Sequence, residues 1–146
     1  MCEGDYMSFY IHIRDLCFSR LAHERGLLNI PNNHQLNNLH RVIELGEQIR
    51  SLLDNRPIEV LSGFRTHEVN ALLNAPANSA YVEGLAMDFI CPDFGSPNEI
   101  VIAIAKSDLT FDQLIGKQSY VYVGLTDHKY RREVLFYKDG KYIPFR

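Results

Sequence analysis

Cysteine is scarce and carries no pattern. Cys2, Cys17 and Cys91 are the only three in 146 residues, no two form a Cys-x-x-Cys pair, and an odd number leaves one over in any disulfide scheme. Reduced or buried thiols are the reading this supports. Long apolar runs are also missing: none approaches the roughly 20 residues needed to span a bilayer, so no membrane partner is expected. Glu3, Asp5, His12 and Arg14 fall within or beside the N-terminal apolar residues and interrupt any secretory signal peptide. A cytoplasmic location is the expectation. Concentrated basic charge is the third absence. With a net charge of -3 and an isoelectric point near 6.0, the chain does not suit a phosphate-backbone binder, and no nucleic acid is expected as a partner. The one short basic cluster, Lys129-Tyr-Arg-Arg132, reads as the solvated edge of a β-hairpin. There is no internal repeat and no linker.

The residues present describe one globular domain over positions 1–146, because 46% hydrophobic and 23% charged content in a chain of this length is enough to bury a core. Apolar spacing predicts a short helix from Phe9 to Arg25, closed by Gly26, then a connector over Leu27–Pro31. Asn32 and Gln35 stand in capping-box register at the head of a long helix. Its inward stripe is Leu36, Leu39, Ile43, Gly46, Ile49 and Leu53, a core face, and Asn55-Arg-Pro57 ends it. Ile58–Ser62 reads as a strand. Thr66 is placed to cap a helix with Val69, Leu72 and Leu73 facing inward, and Asn74–Asn78 is a turn-rich loop.

Leu85–Cys91 reads as a central strand, with Gly84 before it allowing a backbone approach that a side chain would block. Ser96-Pro-Asn-Glu99 starts a further helix with a cap, an early proline and a glutamate at the third position. Three or four strands follow, near Thr110–Ile115, Ser119–Leu125, Glu133–Tyr137 and Lys141–Ile143, with Asp139-Gly140 as a hairpin turn. Helices first and an antiparallel sheet at the end make an α+β layout.

Two blocks carry the chemistry. The first is Ser62-Gly-Phe-Arg-Thr66 with Asn70, followed by Ser79, Tyr81, Gly84, Ala86 and Asp88. The second is Phe111-Asp-Gln-Leu-Ile115 followed by Tyr120-Val-Tyr-Val123. Together they resemble the zinc D-Ala-D-Ala carboxypeptidase family, the peptidoglycan peptidases of bacterial cell-wall enzymes and phage endolysins, and the likeness extends over nearly the whole chain. It implies N-terminal helices packed on a small antiparallel sheet. In that family the first block has Ser-x-His-x-x-Gly-x-Ala-x-Asp, whose His and Asp bind zinc, and the second has Trp-Val-His-Val, whose His is the third ligand. Here Tyr81 and Tyr122 occupy both histidine positions.

A catalytic zinc takes three protein ligands and an open water position, and a phenol with a pKa of about 10 is a poor substitute for neutral imidazole. The resemblance places the general base shortly before the second His, where this chain has Gly116, Lys117, Gln118 and Ser119 and no acid. No cofactor and no metal are therefore expected, with Tyr81, Asp88 and Tyr122 as degenerate ligand positions and no catalytic residue retained. The expected pocket comprises Arg65, Ser79, Tyr81, Glu83, Asp88 and Tyr122. Arg65, which in the family binds the substrate carboxylate, either grips an anion or forms a scaffold ion pair with Glu83 or Asp88. Asp88, without a metal, needs a donor, and Tyr81, Tyr122 and Arg65 are all suited to that.

Three functions fit. The first is an inactive, phage- or prophage-derived relative repurposed in the host cytoplasm to bind a protein partner, such as a component of a host system that it inhibits. The second is a module that binds the peptidoglycan peptide without cutting it. The third is a hydrolase with a rearranged or different metal, for which His67 and His128 with Asp88 are the available ligands; Glu83 is the one acid flanking the pocket that could serve as a base without metal.

Overall fold

The computed structural model describes residues 11–146; Cys2, Glu3, Asp5 and the Phe9 start of the first expected helix lie outside them. Among the described residues that helix is two, α1 (Ile13–Cys17) and α2 (Arg20–Glu24). The chain is extended at Phe18, and the Ser19 hydroxyl accepts the Ala22 N–H at 3.2 Å to start the second helix. A serine side chain that bonds nearby backbone groups favours a cap over a helix interior. The break also frees the Leu16 carbonyl to accept the Phe64 N–H at 2.7 Å.

The connector is held by one side chain. Asn29 donates to the carbonyls of Cys17 and Phe64 at 2.8 and 3.0 Å and accepts the Thr66 N–H at 2.9 Å. The long helix α3 (Asn33–Leu52) begins with the expected capping box of Asn32 and Gln35. Its buried stripe is Leu39, Val42, Leu45, Gly46 and Ile49 together with Asn38, while Leu36 and Ile43 are half-buried. Asp54 and Asn55 at φ 61° and 57° turn the chain left-handed before Pro57 is reached.

Strand β1 (Glu59–Ser62) leads into helix α4 (His67–Leu72), which Thr66 caps through the Val69 N–H. Val69 and Asn70 are the buried residues of α4. Leu72 and Leu73, expected to face inward, are 41% and 45% exposed, because one and a half turns can present only a narrow stripe to the core. Strand β2 (Ala86–Ile90) is central, and α5 (Pro97–Ala105) begins with a capping box of Ser96 and Glu99.

Strands β3 (Gln113–Gly116), β4 (Val121–Gly124), β5 (Glu133–Lys138) and β6 (Lys141–Pro144) complete a six-stranded sheet in the order β1-β2-β4-β3-β5-β6. The fold is α+β. Every pairing is antiparallel except β3 with β5, which is parallel.

That parallel pairing corrects the reading of Lys129–Arg132 as a solvated hairpin edge. The segment is a crossover loop; Lys129, Arg131 and Arg132 are exposed as expected, but three of its side chains are engaged. Tyr130 accepts from Arg41 at 3.2 Å, and Arg131 forks onto Asp112 at 3.1 and 2.6 Å. Arg132 donates to the Leu109, Ala105 and Ser107 carbonyls and so caps the C-terminal end of α5.

Helices α3 and α5 cover one sheet face, where Met87, Phe89, Leu114, Val121 and Val123 are buried. Residues two apart on a strand share a face, so Asp88 on β2 turns to the other side, where the loop carrying Tyr81 lies.

Candidate ligand-binding site

Strand register sets the floor of the site. Ser62 on β1 opposes Asp88 on β2, and Asp88 opposes Tyr122 on β4, so the three side chains stand abreast on one face. The 79–85 loop comes down over that row. It is fixed internally by the Val82, Gly84 and Leu85 N–H groups bonding the carbonyls of Ser79, Tyr81 and Ala80. From outside, Gln35 and Asn38 of α3 donate to the carbonyls of Val82 and Glu83 at 3.0 and 2.9 Å, and the Arg65 N–H donates to the Tyr81 carbonyl. Gly84 makes the approach possible. Its φ is +74°, and a Cβ there would lie 2.6 Å from the Gln35 carbonyl oxygen.

This packing carries the Tyr81 hydroxyl to Oδ1 of Asp88 at 2.5 Å. Asp88 is only 6% exposed. Desolvation raises its carboxyl to about 6, although the Tyr81 hydrogen bond and the positive charges of Arg65 and Lys117 pull the other way. Burial, reinforced by the Asp88 charge, pushes the Tyr81 phenol far above its ordinary range. One phenolic proton is thus committed to one carboxylate.

Tyr122 behaves differently. Its ring meets Tyr81 edge-on, with centroids 5.5 Å apart and an interplanar angle of 71°. A Cβ on Gly124 would lie 2.8 Å from the Tyr122 hydroxyl, so that hydroxyl runs along its own strand, away from Asp88. Among the described residues it has no hydrogen bond, and burial and the Asp88 charge raise it to about 12. Of the donors expected for Asp88, Tyr81 supplies the bond and Tyr122 supplies packing.

Arg65 forms no ion pair with Glu83 or Asp88 among the described residues. Its guanidinium lies 3.9 Å from the centroid of the Tyr81 ring, one nitrogen reaches Ser62 Oγ at 3.5 Å, and the buried Nε has no hydrogen-bond partner among the described residues. Ser79 donates to Asn70 Oδ1 at 3.0 Å, and Asn70 in turn donates to the Pro76 carbonyl at 2.8 Å. Ser79 therefore braces the loop. Glu83 is exposed and lines a groove of about 500 Å³ with Ser79, Tyr81, Tyr122, His128 and the Asp112–Arg131 pair. Tyr120 is the residue that motif reading passed over. It feels the Asp88 and Arg65 charges, and its place two residues before Tyr122 is the signal for a shared face.

A family-model comparison matches residues 10–123 to peptidase M15. The chain belongs to the peptidase M15 family. No curated protein matches it. Within peptidase M15 terms, the loop, β2 and all of β4 but Gly124 lie inside the matched region, and the β5–β6 hairpin lies beyond it.

The zinc that peptidase M15 membership implies does not fit the donors present. Metal ligands must shed their protons, whereas Tyr81 is held protonated against Asp88 and Tyr122 is raised to about 12. A lone carboxylate remains. His67 and His128 are both exposed, and among the described residues no group of three His, Cys, Asp or Glu is placed to hold a metal.

Proposed function

We propose that this peptidase M15 member has lost peptide hydrolysis and uses the surface around Arg65, Tyr81, Asp88 and Tyr122 to bind a protein partner. The carrying observation is the 2.5 Å bond from the Tyr81 hydroxyl to Asp88, which occupies the carboxylate with a phenolic proton. The turn from Gly116 to Ser119 offers Lys117 in place of an acid, so neither an activated water nor a base to deprotonate it has a holder. Arg65 remains as a recognition element. A half-buried guanidinium packed against an aromatic ring, with no carboxylate in salt-bridge range among the described residues, is suited to gripping a partner's carboxylate. Such a role suits a phage or prophage protein that engages a host component in the host cytoplasm.

The test has two arms. Incubated with zinc and a D-Ala-D-Ala-ended peptide, the protein should release no D-alanine, and the partner recovered from a bacterial lysate should bind the parent and lose affinity for Arg65→Ala. Zinc-dependent cleavage that Asp88→Asn abolishes would overturn the reading. Sedimentation with purified peptidoglycan in the absence of any protein would replace it with the wall-peptide alternative.

A further inference from the structure

We propose that the groove beneath the β5–β6 hairpin docks an acidic, extended segment of a protein partner, with Lys117 as its anchor. This rests on the reading that the chain binds a protein, and assigns the binding a second surface. At about 840 Å³ the groove is larger than those beside Tyr122 and beside Arg65, at about 500 and about 350 Å³. Its walls are the start of α5, the β3–β4 turn and the hairpin. The hairpin lies past the last residue matched to the family, so this wall is not part of the matched peptidase region.

Lys117 sits in the wall as a placed cation. Its Nζ is 4.5 and 5.0 Å from the ring centroids of Tyr137 and Tyr142 and donates to the Tyr142 hydroxyl at 3.1 Å. An ammonium has three donors. One is used, and among the described residues Lys117 has no carboxylate partner in salt-bridge range. Lys138 lines the same groove, whose one acid, Asp139, is at the hairpin turn. In a chain of net charge -3, this local positive excess complements an acidic ligand.

A polyphosphate backbone would need a longer run of cations than two lysines provide. A peptide needs less, and the groove offers it apolar and polar contacts side by side. Tyr142 and Ile143 are 52% and 48% exposed, and Asn98, Gln118 and Ser119 present amide and hydroxyl groups to a main chain. Pairing with the outer edge of β6 is disfavoured. The Phe145 N–H bonds inward to Val134, so by alternation Pro144 faces outward, where it has no N–H to give.

The probe comes from selecting a random linear-peptide display library on the full-length protein. Enriched sequences should place Asp or Glu beside an apolar residue, and a synthetic consensus peptide should bind more weakly as salt is raised. Lys117→Met should weaken that peptide about tenfold, the loss of one charge-assisted hydrogen bond. Lys117→Arg should restore most of the affinity, and Arg65→Ala should leave it unchanged. No enrichment, enrichment without acidic residues, or equal binding by Lys117→Met would overturn the proposal. A peptide lost with Arg65→Ala but kept by Lys117→Met would place recognition at the site around Tyr81 and overturn the groove alone.

Discussion

A carboxylate under a loop, with a phenol pressed against it, decides the chemistry at the residue scale. Asp88 carries a folded-state carboxyl raised to about 6, while an unfolded aspartate titrates at about 3.9. Between those values the folded chain keeps a proton that the unfolded chain has released, so stability falls as pH rises through that window and levels off above it. Asp88→Asn keeps an acceptor for the Tyr81 hydroxyl and removes the buried charge. Urea denaturation across the acid-to-neutral range should therefore show a flatter stability profile for Asp88→Asn. Near neutrality it should be more stable than the parent by about 3 kcal/mol, since the carboxyl is raised by about two pKa units and each is worth about 1.4 kcal/mol. A variant as pH-dependent as the parent would mean that Asp88 is not the group that titrates.

At the scale of elements, the 79–85 loop matters most, because it is not part of the sheet yet sets where Tyr81 lands. Two polar residues of α3 hold it, and Gln35 does two jobs: its Oε1 accepts the Asn32 N–H in the capping box while its Nε2 donates to the Val82 carbonyl. A methyl group at Gly84 would push the loop off α3 and would also strain a left-handed backbone. Gly84→Ala should cost about 1–3 kcal/mol, in the range of an overpacked core. It should also release the Tyr81–Asp88 bond, visible as an Asp88 titration displaced from the parent's in carboxyl-carbon NMR. An unshifted Asp88 with full stability would mean that the close approach to Gln35 is not needed.

For the whole molecule, the exposed sheet edges pose a hazard that the chain meets at both ends. On β1 the register slips between Val60 and Ser62, and a bulge of this kind interrupts the ladder that another strand would need. On β6 the outward proline withholds a donor. Pro144→Val should therefore raise concentration-dependent self-association, measured by sedimentation velocity, while leaving the folded core unchanged by circular dichroism. Sedimentation identical to the parent at high concentration would show that the edge is protected in some other way.

What the sequence by itself determined is what depends on near neighbours. The capping boxes at Asn32 and Ser96, the Thr66 cap and the Asp139-Gly140 turn each close within a few residues, so residue type at a fixed spacing is enough to read them. The peptidase M15 membership was legible for the same reason, since a motif is a local pattern. Tertiary structure alone decided which tyrosine would bond Asp88, because the answer depends on α3 holding a loop more than 40 residues away in sequence. It also split the first helix at Ser19, exposed Leu72 and Leu73, and set β5 beside β3, which turned a presumed hairpin edge into a loop that caps α5 and built the groove around Lys117. Each of these is settled by competition between distant segments for burial and for hydrogen-bond partners, and no spacing within one segment records the outcome.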